Sequence, residues 1–298
     1  MGGKRVDIKT GFICNNNCRF CAQAHSKRFG NRTLDEIKKD LQDSRKRCDG
    51  VVLTGGEVTI RKDFFDIVKY AKGLGYETIQ IQTNGRIFSN LEFSRKTIKA
   101  GATEFSPAIH GHCKSEHDHL TRVPGSFDQT FNAIKNLKSL GAKILTNTVV
   151  TKSNYKSLPK IAEILVKLDV NQFQFAFVHP IGNALDNFDD VVPKISISAQ
   201  YIHKGLQIGI DAGKIVMAEA MPYCLMRGYE DYVSENFIPD TEIRGVIHQN
   251  TDNFSKVRKE VSKTRFKKCV SCIHNSYCEG PWKEYSERFG EKEFCPIK

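Results

Sequence analysis

Apolar positions along the chain fall into short runs of strand length, separated by stretches in which they recur every three or four residues. The strand-length runs cover residues 6–12, 50–54, 78–83, 104–109, 143–150 and 172–178. Between them, helical spacing predicts helices over 34–47, 62–74, 91–100, 127–140 and 158–168. A repeated strand-then-helix succession predicts a parallel sheet with right-handed crossovers. The helix ends agree with this: Thr33 and Glu36 have capping-box spacing, Ser126 stands where a cap for the next helix belongs, and Gly75, Gly101 and Gly141 follow helix ends. After residue 182 the texture changes. A helix over 199–212 and a strand over 214–218 lead into a polar, less periodic tail, which places a domain boundary near residue 215 and divides the chain into 1–215 and 216–298.

Composition narrows the class. Hydrophobic residues at 40% and charged ones at 27% are ordinary for a globular protein, and no apolar run approaches the ~20 residues of a membrane span. Lys4, Arg5 and Asp7 stand where a signal peptide needs apolar residues, so a cytoplasmic protein is expected. The net charge of +11 favours anionic partners in general. Its lysines and arginines, however, are diluted by acids: Lys38, Lys39, Arg45, Lys46 and Arg47 share one helix with Asp35, Glu36 and Asp40. Neither nucleic acid nor membrane is therefore expected as a partner.

The ten cysteines cluster toward the two ends of the chain, which suggests metal ligands in a reducing compartment rather than a disulfide framework. Cys48 reads as a packed thiol, and Cys113 lies in a His-rich loop. Cys14, Cys18 and Cys21 form a C-x3-C-x2-C run just after the first strand. Such spacing is too short for comfortable disulfides and leaves a third thiol over. Structural zinc would need a fourth ligand, for which His25 is the nearest candidate; a [4Fe–4S] cube on three cysteines leaves one iron open. Spacing alone leaves both open.

With Phe20 before the last cysteine, the triplet resembles the signature of the radical S-adenosylmethionine (radical SAM) superfamily. The resemblance implies a partial (β/α)6 TIM-type barrel and a [4Fe–4S] cluster on Cys14, Cys18 and Cys21. It further implies that the open iron binds S-adenosylmethionine, whose reductive cleavage gives a 5′-deoxyadenosyl radical that abstracts a substrate hydrogen. Gly55, Gly56 and Glu57 resemble the family's GGE motif, which receives the amino group of S-adenosylmethionine. Thr83, Asn84, Ser106, Asn147 and Thr148 would supply polar contacts to its ribose or carboxylate. Phe20 and the backbone around Val178 and His179 would contact adenine. The stretch from His110 to Phe127 would line the barrel mouth and touch substrate, with Arg122 holding a carboxylate.

The tail carries Cys269, Cys272 and Cys278 as C-x2-C-x5-C, followed by Gly280. This resembles the SPASM/twitch-type extensions of radical SAM maturases and implies one auxiliary Fe–S cluster, a second [4Fe–4S], with Cys224 as the preferred fourth ligand and Cys295 behind it. Arg265, Lys267 and Lys268 would stabilise its negative charge. Zinc stays open here too, since C-x2-C is also zinc-ribbon spacing. The implied partners are a peptide or small-molecule substrate and an electron donor such as flavodoxin or ferredoxin. The reading from a different class is a non-catalytic Fe–S electron carrier or a zinc-stabilised nucleic-acid-binding protein.

Overall fold

The computed structural model describes residues 4–246 and 250–298. Its strands are β1 (Arg5–Lys9), β2 (Gly50–Thr54), β3 (Thr78–Thr83), β4 (Glu104–Pro107), β5 (Lys143–Val150), β6 (Gln172–Phe177), β7 (Ile215–Glu219) and β8 (Thr241–Arg244). All pair in parallel, in the order β7-β6-β5-β4-β3-β2-β1-β8, as a curled α/β half-barrel. The six strands of the repeated units are all present, and the strand expected over 214–218 is β7. β7 joins β6, and one further strand from later in the chain, β8, joins β1. The sheet thus takes strands from both sides of residue 215.

Strand alternation sorts side chains between the two faces of this sheet. On β1, Val6 and Ile8 are fully buried, while Arg5, Asp7 and Lys9 take the other face; on β3 the same division separates Ile79 and Ile81 from Gln80 and Gln82. The apolar face packs under the amphipathic helices α1 (Leu34–Arg45), α2 (Phe64–Gly73), α3 (Leu91–Ala100), α4 (Lys114–Thr121), α5 (Ser126–Ser139), α6 (Leu158–Lys167) and α7 (Ile195–Asp211). Ile37 and Leu41, Ile67 and Val68, Ile134 and Leu137, and Ile161 and Leu165 supply their buried stripes. The inner face is left polar, a lining suited to ligand rather than to core.

Local signals explain the helix ends. Thr33 Oγ1 accepts from Glu36 N and the Glu36 carboxylate accepts from Thr33 N, completing the capping box of α1. The entry to α5 differs from expectation, because Ser126 is its first residue and caps nothing. Asp118 does the capping instead: its carboxylate accepts from Gly125 N, Phe127 N and Ser126 Oγ at 2.7–2.8 Å. The His-rich stretch expected as a loop forms α4, which ends where Arg122 turns into the left-handed region at φ 59°.

The tail packs back onto the barrel. Helix α8 (Lys283–Phe289) docks through Tyr285, whose hydroxyl accepts from Ile195 N at 2.9 Å and whose ring stands edge-on to Phe177. Among the described residues no helix is long and apolar enough to cross a membrane.

Candidate active site

Beyond β1 the chain runs across the carboxyl end of the sheet into the first cysteine loop, and the end of β2 holds it there. Gly56 N donates to Gly11 O and Glu57 N to Ile13 O at 2.8 and 2.9 Å. A Cβ on Gly55 would lie 2.1 Å from Gly11 O, and one on Gly56 2.2 Å from Ile13 O. The two glycines thus let β2 press against the cysteine loop's own backbone.

Cys14, Cys18 and Cys21 border one cavity of ≈ 420 Å³ together with Gly55, Gly56 and Glu57. Burial raises all three thiols, Cys18 to about 12, with the neighbouring sulfurs adding to the effect at Cys14 and Cys18. A metal bound here must therefore displace their protons. His25 does not complete the set, because its Nε2 meets Asp186 at 2.8 Å on the surface. Among the described residues, no three His, Cys, Asp or Glu side chains gather as ligands of one ion. Three thiols on one cavity, with the candidate fourth ligand engaged elsewhere, fit a cluster that spreads its ligands over separate irons and leaves one iron open.

Glu57 is the hub of the opposite wall. It is buried and takes four hydrogen bonds: Thr59 N, Thr59 Oγ1 and Thr83 Oγ1 on one oxygen, at 2.6–3.2 Å, and Asn84 N on the other at 2.7 Å. Burial nevertheless lifts its carboxyl above the usual range, against the pull of these donors. An amide here would set a donor against donors. Glu57→Gln should therefore cost about 1–3 kcal/mol of stability, read as a lowered midpoint in urea unfolding; an unchanged midpoint would show that the donors have other acceptors.

Residues 83–86 also brace the cysteine loop. Asn84 Nδ2 donates to Asn15 Oδ1 at 2.7 Å, and Arg86 Nη1 donates to Asn15 O and Asn16 Oδ1 at 2.7 and 3.0 Å. Arg86 was absent from the expected site, although it follows directly on Thr83-Asn84-Gly85. Phe20, Ser106, Asn147 and His179 line the cavity with Thr83 and Asn84. Thr148 and Val178 do not. Thr148, next to Asn147 in β5, takes the opposite face and donates to Ile109 O at 2.6 Å, while Val178 is packed in the core. Trp282, the chain's one tryptophan, is a further member: it lines the cavity and stacks on His179 at 3.7 Å and 7°. Its place soon after Cys278 in the sequence was the available signal.

The His-rich stretch divides. His112 and Arg122 do not border the cavity, whereas His110 does. His110 Nδ1 accepts from Val149 N at 3.2 Å, so the neutral ring carries its proton on Nε2. Behind it, His117 Nδ1 accepts from His110 N, and burial holds His117 at about 4. The unfolded chain binds a proton on this residue near 6.5 and the folded one does not. Stability is therefore full above about pH 6.5 and falls as the pH drops toward 4. Between pH 7.5 and 5 the loss from His117 should be about 2 kcal/mol, and His117→Gln should make the pH profile of the urea midpoint shallower, leaving the part due to His110, which burial also holds low.

The second cysteine group also comes together. Cys224, Cys269, Cys272, Cys278 and Cys295 border one cavity with almost wholly apolar walls. Burial pushes the Cys224 thiol up to about 11, and the sulfurs of Cys278, Cys269 and Cys272 raise it further. Arg265 borders the same cavity, while Lys268 is engaged by Glu291 O.

Residues 8–165 match the profile of the Radical SAM superfamily. The chain is 30% identical over 183 residues to an AdoMet-dependent heme synthase of Methanosarcina barkeri, covering 60% of this chain and 52% of that protein. It is 29% identical over 203 residues to a probable GTP 3′,8-cyclase of Saccharolobus islandicus, covering 63% of this chain and 64% of that one. The chain thus spans about half to two thirds of these relatives' lengths. Among solved structures, Streptococcus suis SuiB bound to its precursor peptide SuiA superposes with a TM-score of 0.68 at 14% identity, covering 100% of this chain and 75% of that one. The anSMEcpe enzyme with bound AdoMet and the Cp18Cys peptide gives 0.68 at 14% identity, covering 98% and 92%. At such identity the likeness is one of fold.

Proposed function

Because the chain belongs to the radical SAM superfamily, we propose that it cleaves S-adenosylmethionine reductively and starts its reaction by abstracting a substrate hydrogen atom. Cys14, Cys18 and Cys21 would hold the [4Fe–4S] cluster. Gly55, Gly56, Glu57, Thr83, Asn84, Ser106 and Asn147 would form the polar wall toward the methionine end and ribose of the nucleotide, with Phe20 and His179 toward adenine. When bound, the cluster and S-adenosylmethionine together supply a 5′-deoxyadenosyl radical. The protein's part is to hold the reactants in place and keep water out. Burial of the three thiols serves this, as does the indole of Trp282 stacked on His179.

The observation that carries this reading is the convergence of the three cysteines with Glu57 on one cavity at the carboxyl ends of the strands. The segment after residue 215 would act as a SPASM/twitch-like extension. Cys224, Cys269, Cys272 and Cys278 would hold one auxiliary cluster, and an electron acceptor there suits a net oxidation. A peptide substrate is supported by the fold shared with SuiB, which was solved with its precursor peptide. A small metabolite is the second reading, supported by the higher identity to relatives named for heme and GTP chemistry. The net charge of +11 suits an acidic electron donor such as flavodoxin or ferredoxin, and ten free thiols suit the cytoplasm.

The test is anaerobic reconstitution followed by dithionite and S-adenosylmethionine, with chromatographic detection of 5′-deoxyadenosine. Release of 5′-deoxyadenosine by the iron-loaded protein, and not by the metal-free one, is expected. Intact S-adenosylmethionine in the presence of about eight bound irons would favour the electron carrier.

A further inference from the structure

Below the cysteine cavity lies a second chamber of ≈ 400 Å³ in the barrel lumen, lined among others by Arg5, Asp7, Glu104, Gln174, Glu219 and Arg258. The two spaces share Gln82, Ser106, Asn147, Glu219 and Phe254 as lining residues, so they adjoin along the inner face of the sheet.

The direct ion pairs of this chamber leave one arginine over. Asp7 Oδ2 pairs with Lys9 at 3.0 Å and Glu104 with Lys143 at 2.6 Å. Arg258 binds Glu279 through Nε and Nη2 at 2.7 and 2.8 Å. Glu219 accepts from Gln174 Nε2 at 2.6 Å, and burial raises its carboxyl toward the neutral form. Arg5 is left over: its Nε donates to Thr241 Oγ1 at 3.1 Å, and among the described residues no carboxylate stands within ion-pair distance of it. Desolvation disfavours the charge it carries, and the carboxylates of Asp7, Glu219 and Glu104 offset this only from beyond contact distance. A half-buried cation whose nearest carboxylates stand beyond contact distance leaves a place for a ligand anion in direct contact.

Unsatisfied atoms point the same way. Arg258 is 2% exposed, and its Nη1 has no acceptor. Asp7 Oδ1 and Asn147 Oδ1 are buried acceptors without donors. Buried polar atoms ordinarily find partners, and three such atoms on one chamber ask for a ligand that brings both an anionic acceptor and an N–H donor.

We propose that the lower chamber receives the carboxylate of an amino-acid-type substrate, anchored on the guanidinium groups of Arg5 and Arg258. An N–H near that carboxylate serves Asp7 or Asn147, and the carbon chain rises past Glu219 into the upper cavity. This assignment rests on the upper cavity being the radical-generating site. A peptide C-terminus and a free amino acid share the required chemistry.

Calorimetry on the cluster-loaded full chain tests it with four probes: N-acetyl-L-alanine, L-alanine and the amide of each. At least one acid should bind about tenfold or more tighter than its amide, as expected for a charge-assisted hydrogen bond. Preference for the acetylated acid identifies a peptide end, and preference for the free one a metabolite. Arg5→Gln should abolish the acid–amide difference, and Arg5→Lys should restore part of it. Equal binding of acid and amide by the unaltered protein, absence of binding by either included, overturns the proposal, as does a difference that survives Arg5→Gln. Release of 5′-deoxyadenosine by the unaltered protein is read separately, so the chamber assignment can fail while the radical reading stands.

Discussion

Cys18→Ala is expected to abolish 5′-deoxyadenosine release, down to the background of metal-free protein. Cys18 lies in the middle of the loop, and burial pushes its thiol up to about 12, with Cys21 and Cys14 adding to the effect. Its proton leaves only when a metal takes its place. Removing this sulfur leaves two ligands where a cube with one open iron needs three. Iron should fall from about eight to about four per chain, since the tail cysteines are untouched. Cys113→Ala, whose sulfur among the described residues meets Ser115 Oγ at 3.2 Å and borders neither cysteine cavity, serves as a control and should behave as the unaltered protein. Undiminished 5′-deoxyadenosine release by Cys18→Ala would remove the proposed site.

Cys278→Ala should have the converse signature. About four irons should be lost and product should no longer form, while 5′-deoxyadenosine is still released. Burial raises the thiols of Cys224 and Cys278, and the sulfurs of Cys269 and Cys272 raise both further. Cys295 is exposed on the rim of the same cavity. Cys224→Ala should therefore copy Cys278→Ala, and Cys295→Ala should keep its iron. If the two exchange behaviour in iron analysis and electron paramagnetic resonance, Cys295 is the fourth ligand. Were zinc to replace iron at this position, the tail would be a structural staple instead.

The six β/α units were legible because each strand buries one face under an amphipathic helix, and that demand writes period two and period 3.6 into the sequence. β8 is not legible in the sequence, because Thr241-Glu242-Ile243-Arg244 carries little apolar signal and owes its place to pairing with β1, more than two hundred residues away. The cysteines were legible because their spacing is local. Thr148 was grouped with Asn147 by adjacency, yet neighbours in a strand face opposite ways, and Thr148 spends its hydroxyl on Ile109 O. Trp282 and Arg86 act on the cavity through folding over long separations, which no window along the chain reports. The capping role of Asp118 was hidden for a related reason: the carboxylate lies eight residues before the serine that local spacing nominated.

The stacking of Trp282 on His179 ties the fate of the first cavity to the last twenty residues of the chain. A protein trimmed back to its strands would keep every cysteine of the front loop and lose its roof. On the proposed reading, dioxygen would then have a direct way to a carbon-centred radical, so the tail would shield the site as well as carry the second cysteine group.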